Sequence, residues 1–318
     1  MEHHPLKPIL LSLTLLLFPL PGAADEPDSI TQIPVQGKTG VCYKRLALVG
    51  VGGGGAHYVA YRYLDRTWWQ GKKLDHIRFI NDWSGDTYLN MDKFGHFFSG
   101  IALAEGIGGI YAWVGFSPRT SAILGSLTSL GELFLVEMRD GRFDQWGFSI
   151  PDFTANVLGA AVPLVHTLFP GTQAVRFKMS YFPSALYRDR ARRKASNRPH
   201  YESIIDDYEG MTFWMTLDME RLLWHGARSV WPDWLGLGVG VGARGMHGSN
   251  KQSKGPNRGY PELLDAQHEI FLALDFNADY LPGSGKIWRR VKSALRFVHL
   301  PAPAVRIYPE KTFYLLYF

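Results

Sequence analysis

Ionisable side chains cluster in one stretch of the sequence, between Asp92 and Asn156, although long apolar segments surround them. Asp92 and His96 stand four residues apart, so a helix would place them on one face. Asp92 could then accept a hydrogen bond from His96 and fix its tautomer, or ligate a metal together with it. Such a pair suits a general base and the residue that orients it. Charged groups beside so much apolar chain are costly unless they are paired or used.

Further acidic residues follow at helical spacing. Glu137 and Asp140 would share one helix face, and Asp152 comes after Ser149 and Pro151, where an acidic residue caps a helix N-terminus. Because these polar groups mark the ends of neighbouring apolar segments, we expect them to form one cluster. The candidate catalytic residues are His96, Asp92, Glu137 and Asp152, and the other members of a ligand-binding or structural cluster are Lys93, Asp140, Asp144 and Asn156.

Each of these residues also has a structural explanation. Asp152 would serve only as a helix cap, His96 as a hydrogen-bonded core histidine, and Asn156 as a bridge between two helices. Glu137 would be the partner of Lys93 or of Arg139. Against these explanations stands the hypothesis of an enzyme in which His96 is the general base. No cofactor is predicted; the four candidate catalytic residues are compatible with a divalent metal, although the chain has no His-Glu-x-x-His motif and no cysteine pair.

Three apolar stretches connect the polar groups: residues 97–116, 120–136 and 153–169. Each is about long enough to cross a hydrocarbon layer as a helix, and each also holds Gly, Ala, Ser and polar residues. They are either membrane helices whose polar groups face inward or helices buried within a protein. An earlier apolar segment, 45–63, has Gly52, Ala56 and Ala60 at four-residue spacing, which predicts a tightly packed helix.

The pattern changes after Pro170, and from Tyr208 onward it is typical of β-strands. The predicted strands are residues 212–219, 235–243, 269–277, 304–308 and 312–318. In the second of these, glycine alternates with apolar residues, so a backbone or a bulky ring should lie against the glycine face. The last strand alternates and ends in Phe318, as terminal strands of outer-membrane β proteins do, although an ordinary buried strand would have the same pattern. About four to six strands are too few for a barrel of eight or more.

The N-terminus is typical of an export signal. Its apolar core, residues 9–20, is too short to span a bilayer, and Gly22-Ala23-Ala24 favours cleavage after Ala24. The single cysteine, Cys42, excludes an intramolecular disulfide. The net charge of +5 gathers partly in residues 188–198, which form either a solvated linker or a contact to anionic lipid head groups. Export argues against a nucleic-acid partner.

Three motifs carry a resemblance to a known family: Asp92-Lys93-x-x-His96-x-x-x-Gly100, Glu137-x-x-Asp140-Gly141, and Trp146-Gly147-Phe148-Ser149-x-x-Asp152-x-x-x-Asn156-x-x-Gly159-Ala160. They resemble the YfiM-like domain of unknown function, whose members are described as predicted periplasmic or outer-membrane lipoproteins. Four further segments extend this resemblance over most of the mature chain: Asn81-Asp82, residues 208–214, the glycine-alternating strand as far as Gly245-Met246, and residues 300–303. The motifs are also similar to VanZ-like membrane proteins as far as Val165. The family implies no activity, and the chain lacks the lipobox cysteine that a lipoprotein anchor needs.

These observations predict an α+β protein with an N-terminal bundle of about four apolar, Gly-rich helices and a C-terminal antiparallel region of about four to six strands. The predicted function is that of a cell-envelope, membrane-associated structural or head-group-binding module. The alternative is an enzyme that acts on envelope lipid or glycan. Membrane lipid or envelope glycan is the expected partner, and the outer membrane or periplasmic face is favoured over the inner membrane. The predicted domains are a signal peptide (1–24), an extended arm (25–45), a helical YfiM/VanZ-like domain (46–180), a basic linker (181–207) and a β region (208–318).

Overall fold

Four long helices occupy the N-terminal half of the chain, and a six-stranded antiparallel sheet follows them. The computed structural model describes residues 40–85, 88–188, 204–246 and 266–318. The predicted signal peptide, nearly all of the extended arm and residues 189–203 of the basic linker lie outside this part of the chain. The architecture confirms the predicted α+β fold class, whereas the domain limits stay predictions.

The helices begin and end at residues that suit helix termini. Ser117 and Ser149 each accept a hydrogen bond from a backbone N–H three residues later, and a proline lies in each first turn. Gly115, with a φ of 110°, ends the preceding helix in the left-handed conformation that glycine favours. The helices are α1 Tyr43–Thr67, α2 Met91–Val114, α3 Pro118–Asp140, α4 Ile150–Leu168, α5 Ala185–Arg188, α6 Met219–Leu222, α7 His225–Arg228 and α8 Lys286–Leu295.

Glycines let α2, α3 and α4 pack at very short range. A Cβ atom added at Gly100 of α2 would lie 2.8 Å from the backbone nitrogen of Ala160 in α4, and one at Gly159 would collide with the carbonyl of Phe97. Gly125 of α3 contacts the backbone of α2 in the same way, at Gly108. Because the backbones touch, polar side chains at the ends of the three helices are held within reach of one another.

The predicted tight packing of α1 is wrong. No residue of α1 is buried, and nothing among the described residues lies within 4 Å of a Cβ added at Gly52. The helix is instead held by polar contacts at its edges, where Arg45 donates to the carbonyl of Trp113 at 2.7 Å and His57 lies 2.6 Å from Glu132. Small residues at four-residue spacing permit a close helix contact but do not supply a partner.

By length and composition, two described helical segments are long and apolar enough to cross a membrane. One comprises residues 88–114, which include α2, and the other is α3. Only 22% and 39% of their most apolar windows are buried within the protein. The core helix of a soluble protein would be mostly buried. Most residues of these two windows are therefore not buried within the described part of the protein.

Five of the six sheet strands were predicted from alternation, and they correspond to β4 to β8. The sheet order is β3-β4-β5-β6-β7-β8, antiparallel throughout. The additional strand, β3, covers the last six residues of the range 46–180 that was predicted to be helical and the first residue of the predicted linker. The strands are β1 Phe79–Ile80 and β2 Phe148–Ser149, which form a separate parallel pair, and β3 Val175–Tyr181, β4 Met211–Leu217, β5 Leu235–Arg244, β6 Gln267–Phe276, β7 Ala302–Tyr308 and β8 Thr312–Tyr317.

The two faces of the sheet differ in polarity. The inner face is buried and holds Trp214, which stacks on His299 at 3.9 Å and lies against the glycine face of β5, since a Cβ at Gly240 would come within 2.7 Å of its ring. The predicted ring against the glycine face is therefore confirmed. The same inner face buries an ion pair between Lys178 and Asp275, with 2.8 Å between the nearest atoms.

The outer face of β3 and β4 packs against α2. Phe97 meets Phe177 edge to face at 4.9 Å between ring centroids, and Phe98 contacts Phe213. The backbone of Met179 in β3 also pairs with the segment just before β7. Because β3 is the first strand in the sheet order and β7 is the fifth, the sheet curves back on itself. The helices thus cover one part of the outer face, and strands β5 to β8 continue beyond them.

Candidate functional site

The centre of the site is the buried side chain of Lys93, in the first turn of α2. Its Nζ donates to Asp82 at 2.6 Å and to Asp92 at 2.9 Å, and it lies 3.1 Å from Oδ1 of Asp152. The lysine is only 6% exposed. These three acids come from the loop after β1, from α2 and from α4, so one ammonium group ties together three separate segments. Ser149, Asp82, Asp92, Lys93 and Asp152 are called the Lys93 cluster below.

Ser149 completes this cluster. Its hydroxyl donates to Oδ1 of Asp82 at 2.7 Å and accepts from the backbone N–H of Asp152 at 3.1 Å. Ser149 is therefore the residue that caps α4, and the carboxylate of Asp152 is directed at the cluster instead. The hypothesis that Asp152 serves only as a cap is wrong.

The backbone before α2 is strained in a way that positions Lys93. Tyr88, Leu89 and Asn90 all have positive φ values, 48°, 55° and 59°. A non-glycine residue held in this region costs about 1–3 kcal/mol, which surrounding contacts must offset. Here the side chain of Asn90 donates to the carbonyl of Trp83 at 3.2 Å, which folds the loop that carries Asp82 back toward α2.

His96 lies one turn further along α2, where it faces α4. Its Nδ1 lies 3.0 Å from Oδ1 of Asn156, so an N–H group there donates to the amide oxygen. Its Nε2 lies 3.9 Å from Oδ2 of Asp152. Asp92, which was expected to orient His96, is occupied by Lys93, and Asn156 has that role. His96, Glu137, Asp152 and Asn156 are called the His96 cluster below.

Glu137 lies at the C-terminal end of α3 and is 1% exposed. Its Oε2 accepts from the backbone N–H of Ser149 at 3.1 Å, and its Oε1 lies 3.6 Å from Nδ1 of His96. It pairs with neither basic residue that was considered, since Arg139 binds Asp65 at 2.9 Å and Lys93 binds the other acids. Among the described residues, Oε1 has no hydrogen-bond partner.

Two of the predicted site residues lie at or beyond the edge of the cluster. Asp140 accepts a hydrogen bond from the indole N–H of Trp69 at 2.6 Å, which joins it to the start of the loop before β1. Asp144 is exposed, and its backbone carbonyl accepts from Arg78 at 2.9 Å. The structure thus brings seven of the eight predicted residues together and leaves Asp144 outside.

The electrostatics of the site follow from its burial. Burial raises the pKa of Glu137 to about 9, with the Asp152 and Asp140 carboxylates adding to the rise. Burial also raises the pKa of Asp140 to about 7 and, together with the charge of Asp152, that of Asp92 to about 6. Burial alone would lower the pKa of Lys93, but the Asp92 and Asp152 carboxylates hold it above its usual value. The lysine therefore stays charged at any ordinary pH.

Among the described residues of this region, carboxyl groups outnumber ammonium groups. Asp82, Asp92, Asp152, Glu137 and Asp140 gather around the single ammonium of Lys93. Two sets of described residues have ligand atoms within 4.8 Å of one another, as a metal site requires: His96, Glu137 and Asp152, and Asp82, Asp92 and Asp152. The ammonium of Lys93 already lies among the carboxylates of Asp82, Asp92 and Asp152. Of these two sets of described residues, His96, Glu137 and Asp152 are therefore the one that remains available to a cation.

The sequence analysis missed two functional residues, Asp82 and Ser149. Each had a usable signal. Asp82 belongs to the Asn81-Asp82 pair within the family resemblance, and Ser149 begins the Ser-x-x-Asp pattern of a helix N-terminus. Neither could be assigned to Lys93 without the fold, because 11 positions separate Asp82 from Lys93 and a strained turn closes that distance.

No curated protein and no solved structure matches the chain. A family model does match, over less than half of the chain but including every residue of the Lys93 and His96 clusters. The match supports a domain of unknown function and is consistent with export to the cell envelope, but it does not resolve outer membrane from periplasm. It does not confirm the YfiM-like or VanZ-like resemblance. Residues 82–167 are thus similar to the family described as predicted periplasmic lipoprotein (DUF2279).

Proposed function

We propose that this chain is a membrane-associated module of the cell envelope, in which the sheet presents an apolar surface to lipid and the Lys93 cluster holds the helices in register. The observation that carries the proposal is a row of apolar side chains across five paired strands on the outer face. These residues are between 37% and 66% exposed, and they are Met215, Val239, Leu272, Val305 and Phe313. The row is called the outer row below.

The arrangement of the sheet supports lipid as the occupant of this face. A soluble sheet buries its apolar face and exposes its polar one. Here the ion pair between Lys178 and Asp275 is buried on the inner face, and the outer row is exposed. A hydrocarbon environment favours a sheet with an apolar outer face and charged groups on its inner face. A large apolar side chain gains about 1.5–3 kcal/mol on full burial, so each partly exposed residue of the row gains on the order of 1 kcal/mol when it enters lipid.

Helix α8 supports an anionic lipid surface in particular. The helix is amphipathic, with the basic residues Arg289, Arg290 and Lys292 and the exposed apolar residues Ile287 and Val291. Ile287 and Val291 stand four residues apart, so they share one face. Exposed apolar residues beside basic ones are typical of helices that lie in the interface of an anionic membrane.

The Lys93 cluster supplies the structural part of the proposal. An ion network that is buried and shared by three segments specifies one arrangement of those segments, because any other arrangement leaves a buried charge unpaired. Its acids are occupied by Lys93 and Ser149, which favours a structural role over catalysis for Asp82 and Asp92.

The test is flotation of the purified full chain with vesicles of zwitterionic lipid, with and without an anionic lipid. We expect the chain to float with vesicles, and more strongly with the anionic ones. Leu272→Asn should lower the vesicle partition constant about ten-fold, since 1.4 kcal/mol corresponds to a factor of ten in an equilibrium constant. The matched control is Val230→Asn, which changes an exposed valine outside the outer row.

Two outcomes would contradict the proposal. One is a wild-type chain, shown to be folded by circular dichroism, that stays in the aqueous fraction with both kinds of vesicle. The other is binding that falls equally in Leu272→Asn and Val230→Asn, which would place the membrane contact somewhere other than the outer row.

A further inference from the structure

The part of the polar site that Lys93 does not reach contains an imidazole and two carboxylates from three different helices. His96 belongs to α2, Glu137 to α3 and Asp152 to α4, and their ligand atoms all lie within 4.8 Å of one another. We infer that His96, Glu137 and Asp152 bind one divalent transition-metal ion. This inference goes beyond the proposed function, because neither a structural ion network nor a membrane-facing sheet requires a metal.

Unsatisfied polar atoms inside the His96 cluster point to a missing ligand. Oε1 of Glu137 is buried and has no hydrogen-bond partner among the described residues, although Oε2 is fixed by Ser149. Nδ2 of Asn156, which is fully buried, also has none within the same part of the chain, but it is a hydrogen-bond donor and would not ligate a cation. A buried acceptor without a partner costs about 1–3 kcal/mol, and more for a charged group. A cation held by Glu137 together with Asp152 and Nε2 of His96 would satisfy the carboxylate oxygen.

The orientation of His96 suits a metal ligand. Because Nδ1 donates to the amide oxygen of Asn156, the lone pair lies on Nε2, which faces Asp152 at 3.9 Å. That distance is too long for a hydrogen bond. Two ligand atoms at about 2.0–2.2 Å from one tetrahedral zinc ion stand roughly 3.4 Å apart, so a small side-chain movement would admit the ion. A second ring nitrogen held by an amide or carboxylate is a common feature of metal-ligating histidines.

The charge of the region supports a cation with two positive charges. Five buried or half-buried carboxyl groups surround one lysine. A divalent ion bound to His96, Glu137 and Asp152 would add positive charge where carboxyl groups outnumber the ammonium.

The ligand types restrict the metal. An imidazole nitrogen suits Zn²⁺, Fe²⁺ or Mn²⁺ better than Ca²⁺ or Mg²⁺, which prefer oxygen ligands alone. Three protein ligands would also leave a coordination position open for water or for an oxygen of another molecule. We therefore choose Zn²⁺ as the probe.

The experiment is a Zn²⁺ titration of the purified full chain after chelator treatment, with a competing zinc indicator to report affinity. The wild type should bind one Zn²⁺ per chain, and Glu137→Gln should weaken binding about 100-fold or more. Glu137→Gln keeps the shape of the side chain and removes a buried charge, so the variant should fold. The matched control is His57→Gln, since His57 also faces a carboxylate, Glu132 at 2.6 Å, but has no third ligand among the residues that the structure describes.

A second measurement uses the wild type alone, so it does not depend on the folding of any variant. X-ray absorption of the Zn²⁺-loaded chain should show nitrogen and oxygen ligands and no sulfur. The inference is overturned if the folded wild type binds no Zn²⁺, or if His57→Gln weakens binding as much as Glu137→Gln. Because vesicle flotation is measured separately, loss of zinc binding with normal flotation would reject the metal site and leave the proposed function intact.

Discussion

Replacement of Lys93 by methionine tests whether the Lys93 cluster stabilises the fold. Methionine preserves the length and apolar stem of the side chain but removes the ammonium that lies within 3.1 Å of Asp82, Asp92 and Asp152. Removing one partner of a buried ion pair costs about 3–5 kcal/mol. Asp92 can relieve part of this repulsion, because its pKa is already raised to about 6. Protonating a group one pH unit above its pKa costs about 1.4 kcal/mol. We therefore expect Lys93→Met to lower the free energy of unfolding by about 3–4 kcal/mol at neutral pH.

The assay is urea unfolding of the full chain in chelator, followed by tryptophan fluorescence and near-ultraviolet circular dichroism. Two variants bracket the result. Lys178→Met removes the other buried lysine, which pairs with Asp275 at 2.8 Å, and should cost a similar amount. Lys311→Met alters an exposed lysine and should change the free energy of unfolding by less than about 0.5 kcal/mol.

The pH dependence of the same variant makes the test stricter. Without the lysine, the carboxylates are destabilised in the folded state, so their folded pKa values rise above the unfolded ones. Stability of the variant should then increase as pH falls and the acids take up protons. The difference between wild type and Lys93→Met should therefore shrink from pH 8 to pH 5. A loss below about 1 kcal/mol at pH 7, or a difference that does not shrink, would refute the reasoning.

Other predictions address neighbouring parts of the fold. Burial raises the folded pKa of Glu137 to about 9 from an ordinary value of 4.5, so the folded state holds an extra proton between these values and stability falls as pH rises through that window. In chelator, Glu137→Gln should flatten this fall by up to about 1.4 kcal/mol per pH unit, and an unchanged slope in urea unfolding would contradict it. Gly159→Ala should lower the free energy of unfolding by more than about 2 kcal/mol, because the added Cβ collides with the carbonyl of Phe97. Gly106→Ala should not destabilise, since nothing lies within 4 Å of a Cβ at that position. Equal urea midpoints for the two variants would contradict this prediction. Ser149→Ala should cost about 1 kcal/mol or more through loss of the α4 cap, measured in the same way.

Alternation predicted the strands well because most of them carry apolar side chains on one face and a ring or a small residue on the other. β3 escaped prediction for a physical reason. Its sequence alternates basic and apolar residues, and Arg176 and Lys178 suggest a solvated surface. In the fold, Lys178 is buried against Asp275, a residue 97 positions away, and no local pattern predicts such a partner.

The composition of the candidate site was predictable, whereas its pairings were not. Helical spacing placed Asp92 and His96 on one face, but Lys93 competes for Asp92, and a residue from another helix, Asn156, binds His96 instead. Asp144 was included because of its type and position in the polar loop, yet it is exposed. Spacing along one helix shows which side chains point the same way, and only the packing of α2 on α4 decides which of them meet.

The most direct test of the central claim is where the outer row lies when the chain is bound to vesicles. Cys42 is the single cysteine, so Cys42→Ser leaves a background in which Leu272→Cys can carry one fluorophore. Lys311→Cys, in the turn before β8, serves as the matched control. We predict that bromine-labelled lipid chains quench the fluorophore at position 272 while aqueous iodide does not, and that position 311 shows the reverse. Quenching of position 272 by iodide, with no quenching by the labelled lipid, would contradict the proposal that the outer row faces the membrane.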